Sequence, residues 1–278
     1  MRLIHFYIMS KLTHQRKSWF VALLAASMLM PVWARDGVEV GGNSAFTKLV
    51  PAEQVEQSAA KQYEQMMEEA QSKGALLPNN HAQVKRLRAI ARKIIPYSYE
   101  WNPRARSWKW EVNLIASNQI NAFCMPGGKI AFYTGLVEKL NLTDDEVAMI
   151  MGHEIAHALR EHARERMGKN AATGMGANLL SQVLGLGQIG QTVTSYGAQL
   201  LTLKFGREDE SEADLVGMEL SARAGYDPRA GVSLWRKMSE ANRSAPPQWL
   251  STHPSGKTRI TDIESNLPKV LPLYDRSK

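Results

Sequence analysis

The sequence predicts an α+β fold that is mostly helical and contains one small β-sheet. Three observations lead to this prediction. Apolar residues recur at helical spacing over residues 82–95. From residue 108 to residue 114 the apolar spacing changes to two, which is typical of a half-buried strand. From residue 143 a strong helix-start signal introduces a second, mostly apolar helical pattern.

The predicted elements follow one another along a chain of 278 residues. The first helix covers residues 55–73 and ends at Gly74, and the second covers residues 82–95 and stops near Pro96. The expected strands are 108–114, 120–125 and 129–134, and we expect them to form a small meander. Residues 171–205 are apolar and dotted with glycine, which favours close-packed or mobile helices and leaves membrane contact open, although we do not predict it.

Residues 1–34 have the composition of a secretory signal peptide. They contain four basic residues and no acidic one, then an apolar run over 19–30, and they end in a small residue, Ala34. We expect cleavage after Ala34. The alternative is a leader that is retained as an anchor in the inner membrane, but a run of 12 residues is short of the roughly 20 that span a bilayer.

The charge of the chain gives little support for nucleic-acid binding. The full chain has 34 basic and 27 acidic residues and a net charge of +7. Without the four basic residues of the leader, 30 basic residues face 27 acidic ones, a net charge of +3. The basic character therefore belongs partly to the leader, and we expect no nucleic-acid partner.

The central motif is His153-Glu154-Ile155-Ala156-His157, an H-E-x-x-H sequence inside a predicted helix. Four residues at 3.6 per turn bring the two histidines to within about 40° of each other, so that both can bind one Zn²⁺. Glu154 lies one step round the helix, where it is suited to take a proton from water. Thr143 and Glu146 form a predicted capping box that starts this helix. We therefore predict one zinc ion per chain, bound in part by His153 and His157.

A third metal ligand is expected in the acidic stretch 205–224. On a helix, Glu210 and Asp214 share a face with the small residues Ala213 and Gly217. Such a face can approach the motif helix closely, so that Glu210 binds the metal and Asp214 accepts a ring N–H from a histidine ligand. The alternative is a solvated acidic helix start, which explains some of the acids but not the small-residue face.

Several motifs together resemble the HtpX and CAAX prenyl protease family of zinc metallopeptidases. They are H-E-x-x-H, Glu210 with Asp214 in the pattern Glu-x-x-Ala-Asp, Asn121-Ala122-Phe123 with Pro126-Gly127-Gly128, Gly135-Leu136, and Thr252-His253-Pro254 with Arg259. The chain is most similar to the soluble exported members, such as the periplasmic proteases BepA and LoiP. The resemblance does not extend to the set of transmembrane helices of HtpX or to the tetratricopeptide array of BepA.

The resemblance implies a compact zincin domain of the gluzincin type over residues 80–265. An arm and helix over 35–79 precede this domain, and a tail over 266–278 follows it. The resemblance also implies that Glu210 is a metal ligand, that Asp214 supports a ligand histidine, and that Glu154 is the catalytic base. Asn121, Ala122 and Phe123 are implied as a substrate-binding edge strand that faces the active-site cleft, since an unpaired edge can add a peptide strand.

The function implied is a periplasmic zinc endopeptidase that degrades misfolded or misassembled envelope proteins. Two other hypotheses stand beside it. One is a zinc-dependent chaperone or assembly factor that partners the outer-membrane assembly machinery, with proteolysis secondary. The other is a structural zinc protein, which would have four protein ligands and no exchangeable water.

His253 and Arg259 are the remaining candidates for catalysis. His253 is expected to donate a hydrogen bond to the developing oxyanion, with Arg259 nearby. Alternatively, His253 takes the fourth metal position at rest, or it only packs in a loop. We expect His162 to be a polar residue near the end of the motif helix, without a role in the site.

Overall fold

A computed structural model of the chain describes residues 35–173, 200, 203–244, 247–253 and 258–278. The predicted signal peptide over residues 1–34 and most of the glycine-dotted stretch 171–205 lie outside the described residues. The α-helices in the described part are α1 (Ala52–Ser72), α2 (Ala82–Ile94), α3 (Thr134–Lys139), α4 (Asp144–Leu159), α5 (His162–Ala172), α6 (Arg207–Arg223), α7 (Ala230–Ser244), α8 (Trp249–Thr252) and α9 (Arg259–Arg276). Short 3₁₀ helices cover Ala45–Leu49, Ile95–Glu100 and Pro103–Arg106.

The three strands form one sheet in the order β1-β3-β2, where β1 is Glu111–Ile115, β2 is Ala122–Met125 and β3 is Lys129–Tyr133. β3 pairs in parallel with β1 and antiparallel with β2. The predicted α+β class is confirmed, but the predicted meander is wrong, because β3 lies in the centre. β3 is buried along nearly its whole length, and a strand that is covered on both faces belongs inside a sheet rather than at its edge.

The helix α4, which carries the H-E-x-x-H motif, forms the middle of the hydrophobic core. The capping box is present: the Thr143 hydroxyl accepts from the Glu146 N–H, and the Glu146 carboxylate accepts from the Thr143 N–H. From residue 146 to 159 every residue of the helix is buried. Its main neighbour is α6, which crosses it where Gly217 meets Gly152, and a Cβ on either glycine would lie 2.5 Å from backbone atoms of the other helix. The expected close approach of the small-residue face is thus observed.

The segments on both sides of the predicted peptidase domain pack against it. The Val38 N–H donates to the buried carboxylate of Glu219 on α6, at 2.8 Å. At the other end, most of the residues expected as a tail, 266–278, belong to α9, which buries Val270 and Leu273 in the main core. None of the helices in the described part of the chain is both long and apolar enough to cross a membrane.

Candidate active site

Four side chains from three parts of the chain bring one ligand atom each to the same place. They are His153 and His157 of α4, Glu210 of α6, and His253, which directly follows α8. All four are buried, and their ligand atoms lie within 4.8 Å of one another. Because burial lowers the pKa of His157 and of His253 well below the usual value, both rings are neutral near neutral pH, as metal ligands must be.

The spacing and charge of this cluster fit a divalent cation. The Nε2 atoms of His153 and His157 are 3.0 Å apart, and the Glu210 carboxylate oxygens lie 3.5 and 3.6 Å from them. Two nitrogen ligands on a tetrahedral zinc ion stand about 3.3 Å apart. Glu210 Oε1 and His253 Nε2 are buried without a hydrogen-bond partner among the described residues, so a cation between them would satisfy both.

Three buried carboxylates, those of Glu154, Glu210 and Asp214, share this region with the buried guanidinium of Arg259. Burial raises the pKa of Glu210 to about 9; the charges of Asp214 and Glu154 act in the same direction, and Arg259 opposes them. A divalent cation would stabilise the ionised form of Glu210, because a buried charge needs a partner. The donor set, two imidazoles and a carboxylate, is one that zinc accepts.

Asp214 forms a hydrogen bond with the ring of His153 at Nδ1. Its Oδ1 lies 3.0 Å from His153 Nδ1, on the side of the ring away from the ligand cluster. Burial alone would raise the pKa of Asp214, but Arg259 and His153 together lower it to about 2. Asp214 is therefore an ionised acceptor for the ring N–H of His153, which leaves Nε2 free to bind a metal.

The donors of Arg259, which the sequence favoured as a catalytic residue beside His253, are directed to two buried carboxylates. Its Nε and Nη2 donate to the two oxygens of Asp214 at 2.6 and 2.5 Å, and its Nη1 donates to Glu210 at 2.6 Å. The guanidinium also stacks 3.9 Å above the ring centroid of Trp235. With its donors directed to two carboxylates, Arg259 orients these side chains and is placed as a positioning residue.

Glu154 stands beside the ligand cluster and is 2 % exposed. Burial raises its pKa to about 8, and the Trp249 indole N–H, which donates to Glu154 Oε1 at 2.5 Å, opposes that rise. The Cys124 backbone of β2 also forms a hydrogen bond with this carboxylate. A carboxylate with a pKa near neutrality is suited to accept and release a proton. The contact from Trp249 gave no recognisable signal in the sequence.

His253 is the fourth member of the ligand cluster, and its ring centroid lies 5.3 Å from that of His153 and 5.0 Å from that of His157. Its ring stacks on Trp249 with centroids 4.9 Å apart, and its Nε2 lies 3.7 Å from Glu154 Oε2. The Trp249 N–H donates to the carbonyl of Ile120, just before β2, so the segment that carries His253 is attached to the sheet. The position of His253 among the ligand atoms corresponds to one of its predicted roles, that of a fourth metal ligand at rest.

The strand predicted to bind substrate is at the edge of the sheet and lines the cleft. Asn121, Ala122 and Phe123 line one pocket together with Glu154 and His157. Because the Asn121 carbonyl accepts from Tyr133 of β3, the backbone groups of Ala122, the next residue, point away from β3 toward the open edge. The Phe123 side chain packs on Tyr63 of α1, with ring centroids 6.4 Å apart. Because the backbone of Phe123 pairs with Ala131 of β3, this residue holds the strand in place and does not offer hydrogen bonds to an added strand.

His162 is the site residue that the sequence reasoning missed. α4 ends at Leu159, and Glu161 adopts a left-handed conformation with φ 58° before α5 begins at His162. On a continuous helix His162 would lie about 140° round the axis from His157. The turn at Glu161 instead brings the two Nδ1 atoms to 2.9 Å from each other, and His162 is 1 % exposed.

The site matches a known family of peptidases. The sequence profile described as peptidase family M48 matches residues 81–267, about two thirds of the chain. Mitochondrial metalloendopeptidase OMA1 of Schizosaccharomyces pombe is 32% identical over 197 residues, which cover 70% of this chain and 56% of that protein. OMA1 of Arabidopsis thaliana is 40% identical over 150 residues, 54% of this chain and 30% of that protein.

A bacterial relative is also similar. The beta-barrel assembly-enhancing protease of Yersinia pestis is 29% identical over 169 residues, 57% of this chain and 35% of that protein. The matched part of the chain thus spans between 30% and 56% of the length of these relatives. Because the matched residues include the H-E-x-x-H helix, the edge strand, Glu210 and His253, the prediction of a metallopeptidase of this type is confirmed: the chain belongs to peptidase family M48.

Proposed function

We propose that this chain is a zinc-dependent endopeptidase, with His153, His157 and Glu210 as the ligands of one zinc ion. The observation that carries the proposal is the convergence of three ligand side chains beside Glu154 and beside β2, the edge strand of the sheet. A structural zinc site would not need a buried carboxylate with a raised pKa next to the ligands, or a cleft that leads to it.

The chain's own residues can bind a peptide and move a proton. An extended substrate adds to the open edge of β2 through the backbone carbonyls of Ala122 and Cys124. The N–H groups of these two residues already donate to Asn121 Oδ1 and to the Glu154 carboxylate. Glu154 accepts the proton of the attacking water on its carboxylate and passes it to the nitrogen of the leaving amine. When bound, zinc acts as a Lewis acid that polarises the scissile carbonyl and lowers the pKa of the attacking water.

Two positions for His253 follow from this mechanism. At rest, His253 completes the ligand set, and four protein ligands close the site to substrate. In the active form the segment that carries His253 moves, and the ring becomes free to donate to the oxyanion. The support for the resting position is the buried Nε2 atom, which lies among the ligand atoms without a hydrogen-bond partner in the described part of the chain.

We further propose that the protein acts in the periplasm on misfolded or misassembled envelope proteins. The leader over residues 1–34 supports export, with cleavage after Ala34, and retention as a membrane anchor is the alternative. The mature chain then consists of an arm and helix over 35–79, a peptidase domain over 80–265 and a C-terminal segment over 266–278. We further propose that it groups with the soluble exported members of the family. The name of the bacterial relative, a beta-barrel assembly-enhancing protease, supports a role in the envelope.

A second candidate function is that of a zinc-dependent assembly factor for outer-membrane proteins, in which proteolysis is secondary. This second candidate is supported by the name of the same relative, which mentions both assembly and proteolysis. Substitution of Glu154 by Gln separates the two functions, because it removes the proton acceptor and keeps a side chain of the same size. A protease loses its function in the cell, whereas an assembly factor retains it.

The test of the main proposal uses purified residues 35–278, metal analysis and digestion of casein. We expect one zinc ion per chain and cleavage that a chelator abolishes and zinc restores. Glu154→Gln should keep the zinc and lose the cleavage. Glu208→Gln on the exposed start of α6 is the matched control and should retain both. A wild-type protein that binds zinc but never cleaves unfolded protein would contradict the proposal.

A further inference from the structure

The two histidines of the motif contact different groups through Nδ1, the ring nitrogen that faces away from the ligand cluster. His153 Nδ1 contacts Asp214, which accepts hydrogen bonds from Arg259. On His157 the corresponding position is taken by His162, whose Nδ1 is 2.9 Å from His157 Nδ1. His162 lies outside the H-E-x-x-H motif, and the proposed mechanism gives it no part.

His162 is itself held by a chain of polar contacts. Its Nε2 lies 3.2 Å from Glu212 Oε2, and Glu212 Oε1 accepts from Arg160 Nε at 2.5 Å. Arg160 Nη2 donates to the carbonyl of Gly41 in the arm. These contacts join α4, the start of α5, α6 and the arm, so the orientation of His162 is fixed from several sides.

The contacts determine which nitrogen of each ring carries a proton. His157 Nε2 faces His153 Nε2 and Glu210, at 3.0 and 3.5 Å, and must keep its lone pair to bind a metal. The proton of His157 is then on Nδ1, and it is donated to Nδ1 of His162. His162 in turn carries its proton on Nε2 and donates it to the Glu212 carboxylate, whose negative charge stabilises this arrangement.

We propose that His162 is a positioning residue that fixes the ring orientation and the protonated nitrogen of His157, with Glu212 and Arg160 as its support. This inference rests on the proposed function, since it concerns how strongly the site holds zinc. Residues that orient a histidine ligand in this way change metal affinity by 10–100-fold when they are replaced, as an order of magnitude. His162 would also be the link between the metal site and the N-terminal arm.

The experiment measures the zinc dissociation constant by competition with a chromophoric chelator, and the melting temperature of the metal-free protein. His162→Leu removes both hydrogen bonds and should weaken zinc binding about 10–100-fold. His162→Asn keeps a polar atom at the position of Nδ1, since both are bonded to Cγ, and should restore much of the affinity. The Co²⁺-substituted protein should show a changed visible absorption spectrum for His162→Leu and a nearly wild-type spectrum for His162→Asn.

Two control variants distinguish positioning from a loss of stability. His81→Leu removes the side chain that caps α2 by accepting from the Gln83 N–H, far along the chain from the site, and should lower the melting temperature without weakening zinc binding. Glu212→Gln should weaken zinc binding less than His162→Leu does, and Glu208→Gln should have no effect, because Glu208 is exposed on the same helix.

The outcomes separate this inference from the proposed function. If wild type and His162→Leu bind zinc equally tightly, the positioning role is refuted while the peptidase proposal stands. If the affinity falls in proportion to the loss of melting temperature in both His162→Leu and His81→Leu, His162 serves only the packing and the inference is refuted. If the wild-type protein binds no zinc, the proposed function fails and this inference with it.

Discussion

Replacing Gly217 by alanine should push apart the two helices that carry the metal-binding side chains. Gly217 of α6 lies against the backbone of α4, directly beside the first histidine of the motif. A Cβ at residue 217 would lie 2.5 Å from the backbone nitrogen of His153 and 2.6 Å from the carbonyl carbon of Gly152. These distances are about 1 Å inside ordinary van der Waals contact. Backbone atoms of a buried helix cannot rotate away, so α6 has to move.

Two opposing effects set the size of the loss. Overpacking of a filled core costs about 1–3 kcal/mol, while alanine recovers up to about 1 kcal/mol over glycine through its helix propensity. We therefore expect Gly217→Ala to lower the free energy of unfolding by up to about 2 kcal/mol. Zinc affinity should also fall, by about tenfold or more, because Glu210 and Asp214 move with α6 while the motif histidines remain on α4.

The assay combines urea unfolding of the metal-free protein with chelator competition for zinc. Gly42→Ala is the matched control, since a Cβ there has no atom within 4 Å, and it should change neither quantity. Wild-type stability together with wild-type zinc affinity in Gly217→Ala would refute the claim that the close approach of α4 and α6 builds the site.

Three further predictions concern proton uptake, the catalytic carboxylate and the start of α4. Because burial raises the pKa of Glu210 to about 9, zinc must displace a proton from this carboxyl near neutral pH, and zinc affinity should rise with pH up to about that value. Calorimetry in two buffers of different ionisation enthalpy should show proton release on zinc binding, and the absence of proton release would contradict this prediction. Trp249→Phe removes the indole N–H that lowers the pKa of Glu154. We expect kcat to fall about tenfold with KM little changed, and the acidic limb of the pH–rate profile to shift to higher pH. An unchanged profile would disprove this role of Trp249. Thr143→Ala removes the capping box with Glu146 and should lower the free energy of unfolding by about 1 kcal/mol in a urea titration, and an unchanged midpoint would count against it.

The parts of the site that the sequence predicted are those in which local spacing determines the geometry. His153 and His157 are one turn apart on a helix whose start is marked by Thr143 and Glu146, and both features are read from short stretches. The small residues Ala213 and Gly217 predicted the face on which α6 meets α4, because a close approach leaves no room for larger side chains. Glu210 and Asp214, on that same face, consequently lie beside the motif histidines.

The parts that the sequence reasoning missed depend on a single backbone conformation or on the path of the chain in space. The left-handed residue Glu161 turns His162 back onto His157, and a glutamate is not a residue type that marks such a conformation. Arg259 has five donors, and its partners could not be chosen before α9 was placed against α6. The central position of β3 is indicated in the sequence by the nearly unbroken apolar run over Lys129–Tyr133, which is typical of a fully buried strand.

The central claim is that one zinc ion is held by His153, His157 and Glu210. The most direct test is a crystal structure of the zinc-loaded protein with anomalous diffraction recorded on both sides of the zinc absorption edge. We expect one anomalous peak per chain, about 2.0–2.2 Å from Nε2 of each motif histidine and from a carboxylate oxygen of Glu210. A peak elsewhere, or a Glu210 side chain directed away from the two histidines, would contradict the account.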